Sequence, residues 1–260
     1  MQTAEFEKMR ALGGTHWWFL GRKHLLRALL RSSIESDGAP SSGRDFKSLP
    51  NDGIPLILDA GCGTGVAEDI LSDLGHVVGI DIAPKALAGR SPTCPESLCV
   101  ASVNAAPFPD ETFDLVVALD IIEHIEDDGA VLRELYRICR PGGRLMITVP
   151  AYQWLHSAHD EALGHYRRYS ARRIRRLMRD AGFRLGKLSY CVTAPFPAAV
   201  AFRLLRRLLG NREGSDLFEV PRALNSILTG IMRVEAAFLR RMNLPFGLSI
   251  VAIGEKGLGL

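Results

Sequence analysis

Within ILDAGCGTG, residues 57–65, Gly61, Gly63 and Gly65 alternate behind an apolar run that contains Asp59. Glycine weakens strand and helix interiors, so this density marks a backbone that must turn sharply or approach a ligand closely. A second apolar run, HVVGID, ends in Asp81, twenty residues past Gly61. An acid there can accept both hydroxyls of a ribose. Loop and acid together describe a seat for a nucleoside-containing ligand. The dinucleotide fingerprint G-x-G-x-x-G/A fails at Val66. Asp59, ahead of the loop, would repel a pyrophosphate and attract a cation.

A second group of chemically able residues is WLHSAHDEALGHYRRYS, residues 154–170. It holds His156, His159, Asp160, Glu161, His165, Tyr166, Arg167, Arg168 and Tyr169. Histidine suits proton transfer near neutral pH, so His159 or His156 is a candidate general base. A polar hydrogen-bonded lid is the plainer reading. A metal site from His156, His159, Asp160 and His165 has suitable donors but no recognised spacing. Arg167 and Arg168 can clamp an anionic group on a substrate.

The elements that must position these residues alternate strand and helix. Apolar runs at 54–59, 76–81, 97–103, 113–119 and 144–150 read as strands buried on both faces. Helices are expected at 65–74, after Pro84, and at 126–140, with PGG ending the last. Beyond 150 the pattern predicts a basic helix at 170–181, a strand over 183–192, helices at 196–209 and 217–241, and a last strand at 248–256. Two short helices, 4–12 and 20–31, flank THWWF. This alternation implies an α/β, Rossmann-like, doubly wound seven-stranded sheet, mostly parallel, with N-terminal helices and a helical insert before the last strand. The boundaries are 1–35, a helical cap; 36–53, a Ser/Gly/Pro-rich flexible linker; 54–194, the core with an acceptor loop at 150–170; 195–247, the insert; and 248–260.

Residues 54–149 closely resemble the class I S-adenosylmethionine-dependent methyltransferases of type 11 or 12. The resemblance is carried by ILDAGCGTG, VVGIDIAP, APFPDETFDLVVALDIIEHIED and LYRICRPGGRLMITVP, in family order and spacing. It implies S-adenosylmethionine as cofactor and S-adenosylhomocysteine as product. Asp59, Gly61, Cys62, Gly63 and Gly65 would line the methionine and ribose end, Asp81 the ribose hydroxyls, and Ile82 the adenine. Ser102 falls where many members carry an Asp near the adenine amino group, with Val103 beside it and Asn104 as a substitute. Leu119 and Asp120 would lie beside the methionine. His124, in IIEHI, would shape the pocket floor, a base role being the minority reading. HWWFLGR and the His-rich segment resemble a subset of these enzymes whose acceptors are unassigned. Trp18, Tyr152, His165, Arg167 and Arg168 are then the acceptor-side candidates.

The expected activity is methyl transfer to a small-molecule or lipid-linked acceptor, more at oxygen than at nitrogen or carbon, with no metal. The alternatives are an S-adenosylmethionine-binding protein without turnover and, third, an NAD-dependent oxidoreductase. No base-flipping segment points to nucleic acid. Five scattered cysteines with no CxxC, and MQTAEFEKMR without a leader pattern, fit a cytoplasmic location. Residues 1–150 carry 14 Lys and Arg against 21 Asp and Glu, and residues 151–260 carry 18 against 8. The basic half should meet an anionic partner. The apolar, basic stretch 196–210 is read either as a peripheral membrane contact or, with the next helix, as a homodimer face.

Overall fold

The computed structural model describes residues 11–35, 54–88, 97–208 and 220–258. The linker expected at 36–53 and most of the helix expected at 4–12 lie outside the described residues.

Seven strands form one sheet: β1 Leu56–Ala60, β2 His76–Asp81, β3 Ser97–Val100, β4 Phe113–Leu119, β5 Cys139–Pro150, β6 Phe183–Cys191 and β7 Ser249–Lys256. Their order is β3-β2-β1-β4-β5-β7-β6. The first five are parallel, and β7 runs antiparallel between β5 and β6. The chain winds outward from β1 to β3, then crosses back to β4, so strand order reverses between β1 and β4. The carboxyl ends of those strands open there into a crevice, the ligand position of doubly wound sheets.

Helices cover both faces. The first face carries α4 (Asp128–Ile138) and α6 (Ala171–Asp180), which bury Leu132, Leu135, Ile174 and Met178 against β4, β5 and β7. The second carries α1 (Trp17–Glu35), the short α2 (Glu68–Ser72) and α8 (Arg222–Leu239). There Leu25, Leu26, Leu29 and Leu30 of α1 meet Ile57, Leu115 and Val117 of the sheet. α3 (Pro84–Leu87) follows β2 with proline in its first turn, where the missing N–H costs nothing. α5 (Ala158–Leu163) and α7 (Phe196–Leu208) follow β5 and β6.

Four expectations change. The break after the helical residues 11–12 falls at 13–16, and WWF belongs to the helix that follows, the 19-residue α1. The Asn225 side chain of α8 starts that helix, accepting from Trp17 N–H (2.7 Å) and donating to Thr15 O (2.8 Å). That capping group is 208 residues away in sequence, and it is joined by a local one, His16 Nδ1, which accepts from Trp18 N–H (3.3 Å). β5 begins at Cys139 rather than 144, because PGG enters the strand through left-handed Gly142 (φ 76°) instead of ending it in a loop. α2 and β3 are shorter than expected. The 150–170 segment is not all loop: Ser157 and Gly164 bracket α5, with Gly164 at φ 78° as its left-handed stop.

Candidate active site

The glycine turn leaves β1 at the reversal point. Gly61, Gly63 and Gly65 have φ of 77°, 50° and 82°, the left-handed region that L side chains avoid. The N–H groups of Gly61 and Cys62 both bond Ile80 O, at 2.8 and 2.9 Å, which ties the turn to β2. A Cβ at Gly61 would lie 2.6 Å from Ile121 Cγ1, whereas one at Gly63 would meet nothing nearer than 4.0 Å. The first glycine is thus needed for packing, and the second faces open space.

Asp81, at the end of β2, is 9 % exposed and holds the turn from the other side. Its carboxylate accepts from Gly63 N–H (2.9 Å) and Ala83 N–H (2.8 Å). A carboxylate has roughly four acceptor positions, so two backbone bonds still allow ribose hydroxyls. Ile82 follows with 70 % of its surface exposed, an apolar platform beside the acid. Open backbone at Gly63, a fixed acid and an exposed apolar side chain are what an adenosyl group requires. Asp59 is buried, as is Cys62. Val103 is buried in the core, and Ser102 Oγ caps the turn after β3 by accepting from Asn104 N–H (3.2 Å).

At the end of β4, Leu119 is half-buried and Asp120 adopts φ 50°. Asp120 forms an ion pair with Arg22 of α1, which also donates to Thr148 Oγ1 (2.7 Å); the Thr148 hydroxyl in turn donates to Asp120 (3.2 Å). Burial opposes the Arg22 charge, but Asp120 outweighs it and raises its pKa. Arg22 lies over the Trp18 ring at 5.6 Å. Trp18, itself half-buried and edge-on to Trp17, therefore acts with an arginine one turn later. Sequence reasoning singled out HWWFLGR and missed the arginine that reaches the site.

Glu123 and His124 sit on the 3-10 turn that follows. Glu123 is fully buried, with neither carboxylate oxygen hydrogen-bonded. Burial, and then the Asp120 charge, pushes its pKa well up, favouring the neutral acid. His124 is pushed down to about 4 by burial and by His165. Its ring stands edge-on to His165 at 4.6 Å. Donor atoms of Glu123, His124 and His165 come within 4.8 Å of one another, a set that suits a cation; His156 and His159 are not part of it.

His165 in turn meets Asp160, the buried hub of the His-rich segment. Asp160 accepts from His165 Nδ1 (2.9 Å), Arg168 Nε (2.8 Å) and Ser157 N–H (2.9 Å). Burial opposes its charge, yet His165 and Arg168 hold the carboxyl below the usual range. The carboxylate can only accept, so His165 carries its proton on Nδ1. His156 Nε2 faces His165 O at 3.3 Å, which makes Nε2 the donor and Nδ1 the basic nitrogen. His159 is half-buried on α5.

Both arginines expected to clamp an acceptor are used inside the protein. Arg168 also bonds Ala151 O (3.3 Å), and Arg167 bonds Glu126 O (2.8 Å) and pairs with Asp128 (3.2 Å). Arg203 of α7, read as part of a basic lipid-facing stretch, turns inward to Leu155 O (2.6 Å). Tyr152 (φ 61°) stacks on Tyr190 at 5.1 Å and touches Phe196. Burial and Tyr190 push its phenol up to about 12, so it remains a hydrogen-bond donor.

Residues 58–147 match the family model of the methyltransferase domain. A relative described as a probable S-adenosylmethionine-dependent methyltransferase, from Mycolicibacterium smegmatis, is 30% identical over 131 residues, 49% of this chain and 51% of its own. Residues 58–147 form a methyltransferase domain. The chain spans about half the length of the first curated relatives it matches. A ubiquinone biosynthesis O-methyltransferase from Bradyrhizobium diazoefficiens is 28% identical over 164 residues, 59% of this chain and 62% of its own. A chain of the Haloferax volcanii complex between the Trm112 methyltransferase activator and a methyltransferase shares the fold, with TM-score 0.59 and 18% identity over 99% of this chain and 96% of that one.

Proposed function

We propose that this methyltransferase moves a methyl group from S-adenosylmethionine to a hydroxyl of a small-molecule or lipid-linked acceptor. One observation carries the reading: the left-handed glycine turn is tied to Asp81 at the strand reversal, with Ile82 exposed beside it. When bound, the cofactor supplies a methyl group on a positive sulfur, ready for in-line displacement. The chain's own work is alignment, exclusion of water and handling of one proton.

Asp59, Gly61, Cys62, Gly63 and Gly65 hold the methionine end, Asp81 the ribose, and Ile82 the adenine. Ser102 and Val103 flank the base, while Leu119, Asp120 and His124 line the methionine side. α1 lies over this site through Trp18 and Arg22 and limits water. The acceptor enters beside Tyr152 and the His-rich segment, where His159 or His156 accepts the hydroxyl proton. His165 orients that segment through Asp160. Arg167 and Arg168 brace it rather than contact the acceptor, since their bonds run inward. Exposed Phe202, Leu204 and Leu205 on α7 support peripheral membrane contact and an apolar acceptor. The hydroxyl target is supported by the O-methyltransferase relative and by histidines able to take a proton.

Calorimetry with S-adenosylmethionine and with NAD tests the cofactor. Turnover assays on matched hydroxyl and amine acceptors test the atom methylated. Binding of the cofactor without turnover on any acceptor would favour the non-catalytic alternative.

A further inference from the structure

α8 has two apolar faces, and the fold uses one. Met232, Ala236 and Leu239 are buried against α1 and the sheet. Gly21 of α1 lets the helices approach so closely that a Cβ there would lie 2.7 Å from Met232 Cγ. α8 is therefore fixed in rotation. Its outer face presents Leu224, Ile227, Ile231, Val234, Phe238 and then Met242, three or four residues apart and 38–59% exposed. A contiguous exposed apolar stripe of this kind, rimmed by charge, marks an interaction surface. Phe246, 41% exposed, follows in sequence and touches Phe196 at the start of α7 (5.6 Å).

Charge selects the occupant. The sole carboxylate of α8, Glu235, is 7% exposed and accepts from Val192 and Thr193 N–H inside the fold. Arg222, Arg233, Arg240 and Arg241 are exposed, in a half of the chain with 18 basic against 8 acidic residues. Two copies brought together on so basic a half would repel, whereas an anionic bilayer attracts it, each arginine near the surface adding to binding. No described helix is long and apolar enough to cross a membrane, so contact is made from the surface.

We infer that the outer face of α8 docks the protein on an anionic lipid surface, from which an amphiphilic acceptor reaches the site beside α7. The acceptor part of this inference rests on the methyltransferase reading; the docking part stands on the helix face alone.

Flotation of the full chain with vesicles tests it, using phosphatidylcholine alone and phosphatidylcholine with one-third phosphatidylglycerol. The protein should rise with the anionic vesicles only, and binding should weaken by about tenfold between low and physiological salt. Ile227→Ser combined with Phe238→Ser alters only exposed positions, so melting temperature and S-adenosylmethionine affinity should hold while vesicle binding falls by about tenfold or more. Arg240→Gln with Arg241→Gln should weaken anionic binding in the same way. A parent protein that stays down with both vesicles, or an Ile227/Phe238 variant that floats like the parent, overturns the inference. A dimer in light scattering that this variant splits gives the face to a second copy and also overturns it. Failure of the parent to bind S-adenosylmethionine strikes the methyltransferase reading and leaves the flotation result intact.

Discussion

Asp81 has two duties, and they are separable by measurement. Its carboxylate closes the glycine turn through Gly63 and Ala83, and it is the proposed ribose ligand. Asp81→Ala should weaken S-adenosylmethionine binding by about 1–3 kcal/mol through lost charge-assisted hydrogen bonds; unchanged affinity in calorimetry would remove it as ribose ligand. His159→Ala should lower turnover and spare cofactor binding, and full activity on a hydroxyl acceptor would remove it as base. His124 makes a prediction about stability. Its folded pKa of about 4 lies below the ordinary histidine value of about 6.5, so between those values the unfolded chain binds a proton that the native chain refuses. The stabilisation is complete above pH 6.5 and is lost as pH falls toward 4, by at most about 3 kcal/mol. Glu123 acts in the opposite sense: its raised pKa favours the fold in acid, and that contribution fades as pH rises through the folded value. Urea unfolding at pH 7 and about pH 5 should show the loss, and His124→Gln should flatten it. The glycines and acids of this site were legible because their types are costly unless used. Arg22 was not, since an arginine on a helix is ordinary until tertiary packing sets it against Asp120.

At the scale of elements, β4 was read at its observed limits, because a strand buried on both faces is a continuous apolar run. Local signals fell short where an element owes its ends to distant groups. α1 starts on Asn225 as well as His16, and β5 starts opposite Phe113, its β4 partner at Cys139. α5 has its own signals, Ser157 and Gly164, but His156, His159 and His165 in and around it drew a chemical reading instead of a helical one. The contact of α1 with α8 is itself testable. Gly21→Val should cost about 1–3 kcal/mol by overpacking Met232, and Met232→Ala should recover part of the loss in denaturant melts. A Gly21→Val protein as stable as the parent would show that the two helices can move apart freely.

For the molecule as a whole, the methyltransferase match ends well inside the folded unit. Residues 58–147 contain the glycine turn, Asp81 and Asp120, yet α1 and α8, both outside that span, close one face of the sheet. Leu25, Leu26, Leu29 and Leu30 are each at most 6% exposed, and at roughly 1.5–3 kcal/mol per buried side chain they contribute as much as a typical domain's net stability. A chain starting at residue 54 should therefore bind a hydrophobic dye and lose its cooperative thermal transition; a sharp transition near the parent's would refute this. Amino-acid order alone determined the doubly wound class of β1 to β5, the helices inserted before β7, and the glycine turn set against Asp81. Those features follow from periodicity and from residues with few alternative uses. Tertiary structure alone decided which charges survive as ligands. Arg168 and Arg203 turn inward to Asp160 and to backbone carbonyls because a buried carboxylate and buried backbone oxygens must be satisfied. It also decided that the α8 stripe of Ile227, Ile231 and Phe238 faces outward. One helix cannot turn both apolar faces to the same core, and the close approach at Gly21 settles which one stays exposed.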